Sequence, residues 1–265
     1  GGGPVPTALV TLARFGRRTA ISALVGDDSV GRFILDGLGT ENVDATAVTM
    51  RKGFASQTSI IIVENGRRTI LEAPLGVGFP LTWDDVAKLP FDRSEALLID
   101  ARAPEVQLKA AAMVRSAGGL VVLDCGHPRE GVDDLLGNTD IAIFSHTYPR
   151  SLGGEDYETE SFLREIREKL PQTGPRVVGI TLGHRGCVVL ADEKLTRVGP
   201  HAVETLDTTG AGDVFHGAYL HAFLKTGSPG EAARFANVAA ARKCEGMSGR
   251  APLPPEQELW DAIQH

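Results

Sequence analysis

After residue 80 short apolar runs alternate with helical stretches, and this rhythm constrains the fold of the 265-residue chain more than any other feature. The runs at 96–99, 120–123, 141–144 and 177–181 are apolar almost throughout, with no in/out alternation. Strands of that kind are buried on both faces, so they belong to a parallel sheet covered by helices on each side. The stretches at 105–116 and 159–169 have helical texture and supply crossovers. Residues 186–190 and 194–198, joined by Ala191-Asp192-Glu193, are expected as a late hairpin, and helices over 210–224, 230–244 and 256–263 close the chain. Upstream, 19–25 reads as a strand and Gly26-Asp27-Asp28 as a turn capping a helix over 30–38. Two β-rich runs, 56–63 and 67–71, flank Asn65-Gly66, a strong hairpin signal. The expectation is a single α/β domain over 1–265 with a small β excursion near residues 45–75.

Composition narrows the class by exclusion. Hydrophobic residues at 42% and charged residues at 23% are those of a soluble globular domain. No apolar run approaches the roughly 18 residues of a membrane span. Twenty-seven basic against 34 acidic residues give a charge of −7, which speaks against nucleic acid or an anionic membrane as partner. Cys125, Cys187 and Cys244 are too scattered for a disulfide framework, so reduced thiols and a cytoplasmic location are expected. The seven histidines contain no HExxH pattern for zinc.

The chemistry is concentrated in Asp207-Thr208-Thr209-Gly210-Ala211-Gly212-Asp213. A glycine-rich turn feeding an apolar helix leaves first-turn N–H groups without intrahelical acceptors, with the positive end of the helix dipole behind them. That suits an anion, including phosphate oxygens during transfer. Asp213, on the first helical turn, is placed to take a proton from an attacking hydroxyl. The plainer reading makes Asp213 a capping acid and the glycines ordinary turn residues.

This heptad resembles the C-terminal motif of the ribokinase-like, PfkB-type carbohydrate kinases. Gly2-Gly3-Pro4-Val5-Pro6-Thr7 and Val25-Gly26-Asp27-Asp28 with Gly31 resemble the family's N-terminal motifs, and the similarity runs in order over essentially the whole chain. The resemblance implies a three-layer α/β/α fold with a mostly parallel central sheet and a small β lid. It also implies an ATP- and Mg2+-dependent sugar kinase, with a non-catalytic sugar or nucleotide sensor and a nucleoside or vitamin kinase as alternatives. On this resemblance Asp213 is the catalytic base, and Gly210, Ala211 and Gly212 form the anion hole. Thr181, Gly183, Gly186 and Asn237 bind the nucleotide, and Gly2, Gly3 and Thr7 face the sugar. Asp207 and Thr209 would hold a monovalent cation such as K+, with 246–249 as the other wall. The family's N-x-x-E is replaced by Ser145-His146-Thr147-Tyr148, leaving Asp124 to reach Mg2+ through its water shell. The family's first strand, upstream of the Gly-Gly pair, has no counterpart here, which points to a fragment. The lid is expected to pair two copies as a homodimer. Motifs at both ends look nearest the sulfofructose kinase and ketohexokinase branch. Arg102, at the carboxyl end of a strand, is placed to bind a sulfonate or phosphate on the substrate, or else pairs with Asp100 or Glu105.

Overall fold

The apolar runs after residue 80 become neighbouring strands of one sheet. The computed structural model describes residues 2–64, 67–72, 81–151, 159–170 and 174–264, and the expected Asn65-Gly66 turn lies outside them. The elements begin with α1 (Pro4–Arg14), β1 (Thr19–Ala20), β2 (Leu24–Gly26), α2 (Ser29–Thr40), β3 (Val43–Asp44) and β4 (Thr49–Arg51). There follow β5 (Ser59–Glu64), β6 (Arg67–Glu72), α3 (Trp83–Val86), β7 (Ala96–Ile99), α4 (Pro104–Ser116), β8 (Leu120–Cys125) and α5 (Val132–Leu136). The chain continues through β9 (Ile141–Ser145), α6 (Thr147–Ser151), α7 (Thr159–Lys169), β10 (Val177–Thr181), β11 (Cys187–Ala191) and β12 (Lys194–Val198). It closes with α8 (Ala211–Thr226), α9 (Pro229–Lys243) and α10 (Glu256–Ala262).

The central sheet has the order β12-β11-β10-β9-β8-β7. β7 to β10 are mutually parallel, and β11 and β12 add antiparallel at one edge. Successive residues face opposite layers. Val122, Ile141 and Ile143 pack with Ala8 of α1, Tyr219 of α8 and Phe235 of α9. Their neighbours Val121, Ala142 and Phe144 pack with Ala111 of α4, Leu135 of α5 and Leu163 of α7. Helices therefore cover both faces, which is why these strands lack polar alternation. The late hairpin turns through Asp192 and Glu193 at φ 47° and 59°, the left-handed pair a two-residue turn requires.

The expected strand over 19–25 is two strands. β1 pairs in parallel with β3, and β2 with β4. At the break, the single Ser22 hydroxyl proton faces Asp85 O at 3.1 Å and Ala47 O at 3.3 Å. β5 and β6 form the antiparallel hairpin, from Ser59↔Glu72 to Glu64↔Arg67. Asp28 caps α2 by accepting from Gly31 N at 2.7 Å, and its other oxygen accepts from Ser56 N at 2.8 Å. The cap thus also fastens the chain that leads into β5. The helices α3, α5 and α6 are too short to show periodicity in sequence.

The approach of α1 to α8 carries the most consequence for the cleft. A Cβ on Gly217 would lie 2.4 Å from Ala8 O and 2.9 Å from Thr11 Cβ, so the two helices meet backbone to backbone. Gly217→Ala is expected to destabilise the protein by about 1–3 kcal/mol despite its better helix propensity, read as a lower urea midpoint. A neutral or raised midpoint would refute this packing.

Candidate active site

One continuous cleft of about 3460 Å³ runs over the carboxyl ends of β7–β10 and beneath the β5–β6 hairpin. In parallel α/β sheets this is where the ends of strands and the starts of helices leave polar groups unpaired. The first turn of α8 opens into it. Gly210 caps that helix at φ 75°, and a Cβ there would lie 2.4 Å from Gly249 O, so conformation and space both require glycine. Ala211 N donates to Thr208 O at 3.2 Å, so among the three amides expected as an anion hole that one already has a partner. Gly212 is exposed.

Asp213 sits half-buried on this first turn and lines the cleft. Burial, with the charge of Asp124 nearby, pushes its carboxyl up to about 6, against the pull of His216, Arg68 and Arg102. Asp124, near the end of β8 and 8% exposed, is raised in its turn by burial and by Asp100. His216 lies between helix and sheet. Its Nδ1 is 2.8 Å from Gly212 O and 3.5 Å from the Asp124 carboxylate, and its Nε2 is 3.4 Å from Ile143 O. Asp124, Asp213 and His216 thus form one coupled group.

The remaining expected residues also line this cleft. Thr181 ends β10. Gly183 and Gly186 follow at φ 61° and 84°, and a Cβ on Gly186 would lie 2.0 Å from Val198 O. Asn237, on α9, donates to Gly199 O at 2.9 Å. Gly2 and Gly3 lie at the start of α1, while Thr7 is buried in the wall at 1% exposure. Arg102 lines the cleft, and its Nε is 3.4 Å from Asp100, the pairing expected of a structural arginine. Among the described residues no three His, Cys, Asp or Glu side chains gather as a metal cage. Asp124, in this cleft near the end of β8, is a carboxylate of the kind that suits a hydrated Mg2+.

Asp207 is 3% exposed, and its carboxylate accepts from Thr209 N at 2.8 Å and Ser248 N at 2.9 Å. Burial opposes its charge, yet the hydrogen bonds from Thr209 and Ser248 hold it below the usual carboxylate range.

Two residues of this region are not evident in the sequence. Arg68 on β6 reaches across the cleft to donate to the Thr208 carbonyl, with Thr208 Oγ1 at 3.2 Å. Arg68, Ile70 and Glu72 alternate along β6 and all line the cleft, a period of two that marks the hairpin's inner face. Lys243, the last residue of α9, is fully buried, and its Nζ donates to Asp207 O at 2.8 Å. Burial pulls its ammonium below the usual lysine range, opposed by Cys244 and Asp207.

The raised Asp213 carboxyl has a thermodynamic signature. Between 3.8 and about 6 the folded chain holds this proton more tightly than the unfolded chain, so stability falls as pH rises through that window. Asp213→Asn is therefore expected to be more stable than the parent at pH 7.5, by about 1–3 kcal/mol, with no such gain below about pH 4. Thermal melts at both pH values check this, and a destabilised Asn variant at pH 7.5 would refute it.

Among the described residues no helix is long and apolar enough to cross a membrane. Residues 1–256 match the pfkB family carbohydrate kinase. The sequence is 27% identical to a ribokinase of Haemophilus influenzae over 268 residues, covering 100% of this chain and 87% of that one. The structure resembles a putative ribokinase from Agrobacterium tumefaciens, with a TM-score of 0.85 and 29% identity over 99% of this chain and 86% of that one. It also resembles a fructokinase double mutant from Vibrio cholerae in its fructose, ADP and potassium ion bound form, with a TM-score of 0.83 and 25% identity over 99% and 90% of the chains.

Proposed function

The chain belongs to the pfkB carbohydrate kinase family, and we propose that it transfers the γ-phosphoryl group of ATP to a hydroxyl of a sugar, with Asp213 as general base. The observation that carries this reading is the place of the Asp213 carboxyl, on the first turn of α8 and lining the cleft, where burial and Asp124 push it up to about 6. An acid tuned toward neutrality can accept a hydroxyl proton at physiological pH, and a capping acid has no use for that tuning.

In the proposed reaction Asp213 takes the proton of the acceptor hydroxyl as its oxygen attacks the γ-phosphorus in line. The bond from the γ-phosphorus to the β–γ bridging oxygen breaks, ADP leaves, and the proton passes from Asp213 to solvent. The N–H groups at the start of α8 face the charge that develops on the transferring phosphoryl oxygens. Thr181, Gly183, Gly186 and Asn237 line the nucleotide side, where small residues let phosphates and ribose approach the main chain. Gly2, Gly3, Thr7 and Arg102 line the acceptor side, with Arg102 directed at an anionic substituent such as a phosphate or sulfonate. Mg2+ on the phosphates would neutralise charge and orient the γ-phosphoryl, with Asp124 within the reach of its water shell. His216 holds Asp124 and the first turn of α8 together.

The β5–β6 hairpin acts as the lid. Its inner face lines the cleft, and excluding water there limits hydrolysis of ATP. Its outer face carries Ile60, Ile62 and Leu71, exposed at 64%, 53% and 53%. A two-stranded ribbon is marginal in water without a second layer, and we assign that layer to the same face of a second copy. Ile62→Lys is expected to convert a dimer to a monomer in sedimentation equilibrium, and a monomeric parent would refute the assignment.

The decisive assay measures ADP formed from MgATP across neutral sugars, sugar phosphates, sulfonated ketoses and nucleosides. Turnover with one acceptor is expected, and kcat/KM should fall as pH drops through about 6. Asp213→Asn should lower turnover by about 10²–10⁴-fold while ATP affinity stays close to the parent's. Near-normal turnover in that variant would overturn the reading.

A further inference from the structure

The loop that carries Asp207 and Thr209 is where a monovalent cation is expected, and the structure supplies a different positive charge there. Lys243 is fully buried, and its Nζ donates to Asp207 O at 2.8 Å. An uncompensated buried ammonium is costly, so it persists only where the surroundings use the charge. Here they do. Leu206 N and Asp207 N donate to Cys244 O at 2.8 and 3.2 Å, and Asp207 accepts from Thr209 N and Ser248 N. These bonds leave a carbonyl and a buried carboxylate facing inward at the root of the catalytic loop, and Lys243 meets the carbonyl.

The residues present do not fit a resident K+ as well. Both carboxylate oxygens of Asp207 accept main-chain N–H groups, and the Asp207 carbonyl accepts the ammonium. A second cation on these groups would face Lys243 across a shared oxygen. The buried Thr209 hydroxyl lies beside the Asp207 carboxylate and supports its charge, and one hydroxyl does not make a potassium cage, which takes several oxygen ligands.

We propose that Lys243 is a built-in monovalent cation: its ammonium fixes the 207–210 loop at the base of the anion hole, and the protein needs no K+ to do so. Lys243 does not touch the reacting atoms. It acts through Asp207 and the turn at Gly210, so it is a positioning residue. The proposal rests on the kinase reading only for its kinetic consequence, since cation dependence can be read from thermal melts without any turnover.

The test compares the parent with Lys243→Met in KCl, RbCl, LiCl and choline chloride at equal ionic strength. Parent melts are expected to coincide in KCl and choline chloride, and parent turnover to change by less than about twofold, because no site is present to couple binding to stability. In Lys243→Met, loss of the charge should lower the melting temperature and reduce kcat by about tenfold or more with little change in the KM for ATP. No added cation is expected to restore either, because the oxygens of this loop are too few to hold one once the ammonium is gone. A parent whose melting temperature and turnover rise steeply with K+ overturns the proposal, as does a Lys243→Met protein with unchanged kcat. If Lys243→Met does not fold, the parent melts decide alone. Silence of the parent toward every acceptor, with K+-independent melts, would count against the kinase reading and leave the cation assignment standing.

Discussion

The cleft depends on the grip between the loop that leads into α8 and the end of α9. Cys244 O, the Lys243 ammonium and Ser248 N all hold Leu206 or Asp207, and the chain then turns at Gly210 against Gly249 with no room for a side chain. Everything that makes α8 useful follows from where this grip sets its first residue. Were the turn looser by an ångström, the N–H groups of the first helical turn and the Asp213 carboxyl would lose their common focus, and positioning of that kind dominates phosphoryl transfer.

The cleft brings both signs of charge together. The chain is acidic, yet Arg68, Arg102, His127 and Arg129 line the same cleft as Asp124 and Asp213. The two carboxyls repel and are partly desolvated, which keeps one proton available near neutrality. His216 and the arginines limit that effect, so Asp213 is poised without being permanently protonated. The balance is a property of the group: changing any one member resets the others.

Much of this was legible in the chain. Strands buried on both faces leave a compositional trace, and the runs at 96–99, 120–123, 141–144 and 177–181 became β7 to β10. The Asp207–Asp213 heptad placed its own helix start. Long-range partners were not legible. At the break, Ala47 and Asp85 present carbonyls to the Ser22 hydroxyl, and nothing near Ser22 announces them. Lys243 follows Arg242 at the end of a helix, where two basic residues normally point to solvent and favour the dipole. Its burial comes from a loop 36 residues earlier in the chain. Arg68 left a fainter trace in the alternation of β6, but its reach to Thr208 depends on how the hairpin folds over the cleft.

The backbone contact at Gly217 has a consequence for how this cleft could be re-purposed. α1 and α8 both begin at the cleft and touch a turn or two inside it, where the Ala8 carbonyl and Thr11 Cβ close on the Gly217 main chain. They work as the fixed jaws of a caliper, one tipped by Gly2 and Gly3 and the other by Asp213. Because main chain sets the jaw width, ordinary substitution can neither open it nor close it by a small step. For the proposed acceptor, variation in size therefore falls to the side chains of the opposite wall, the inward residues of β5 and β6. A library built on Ile61, Ile70 and Glu72 would sample shape without disturbing the gauge.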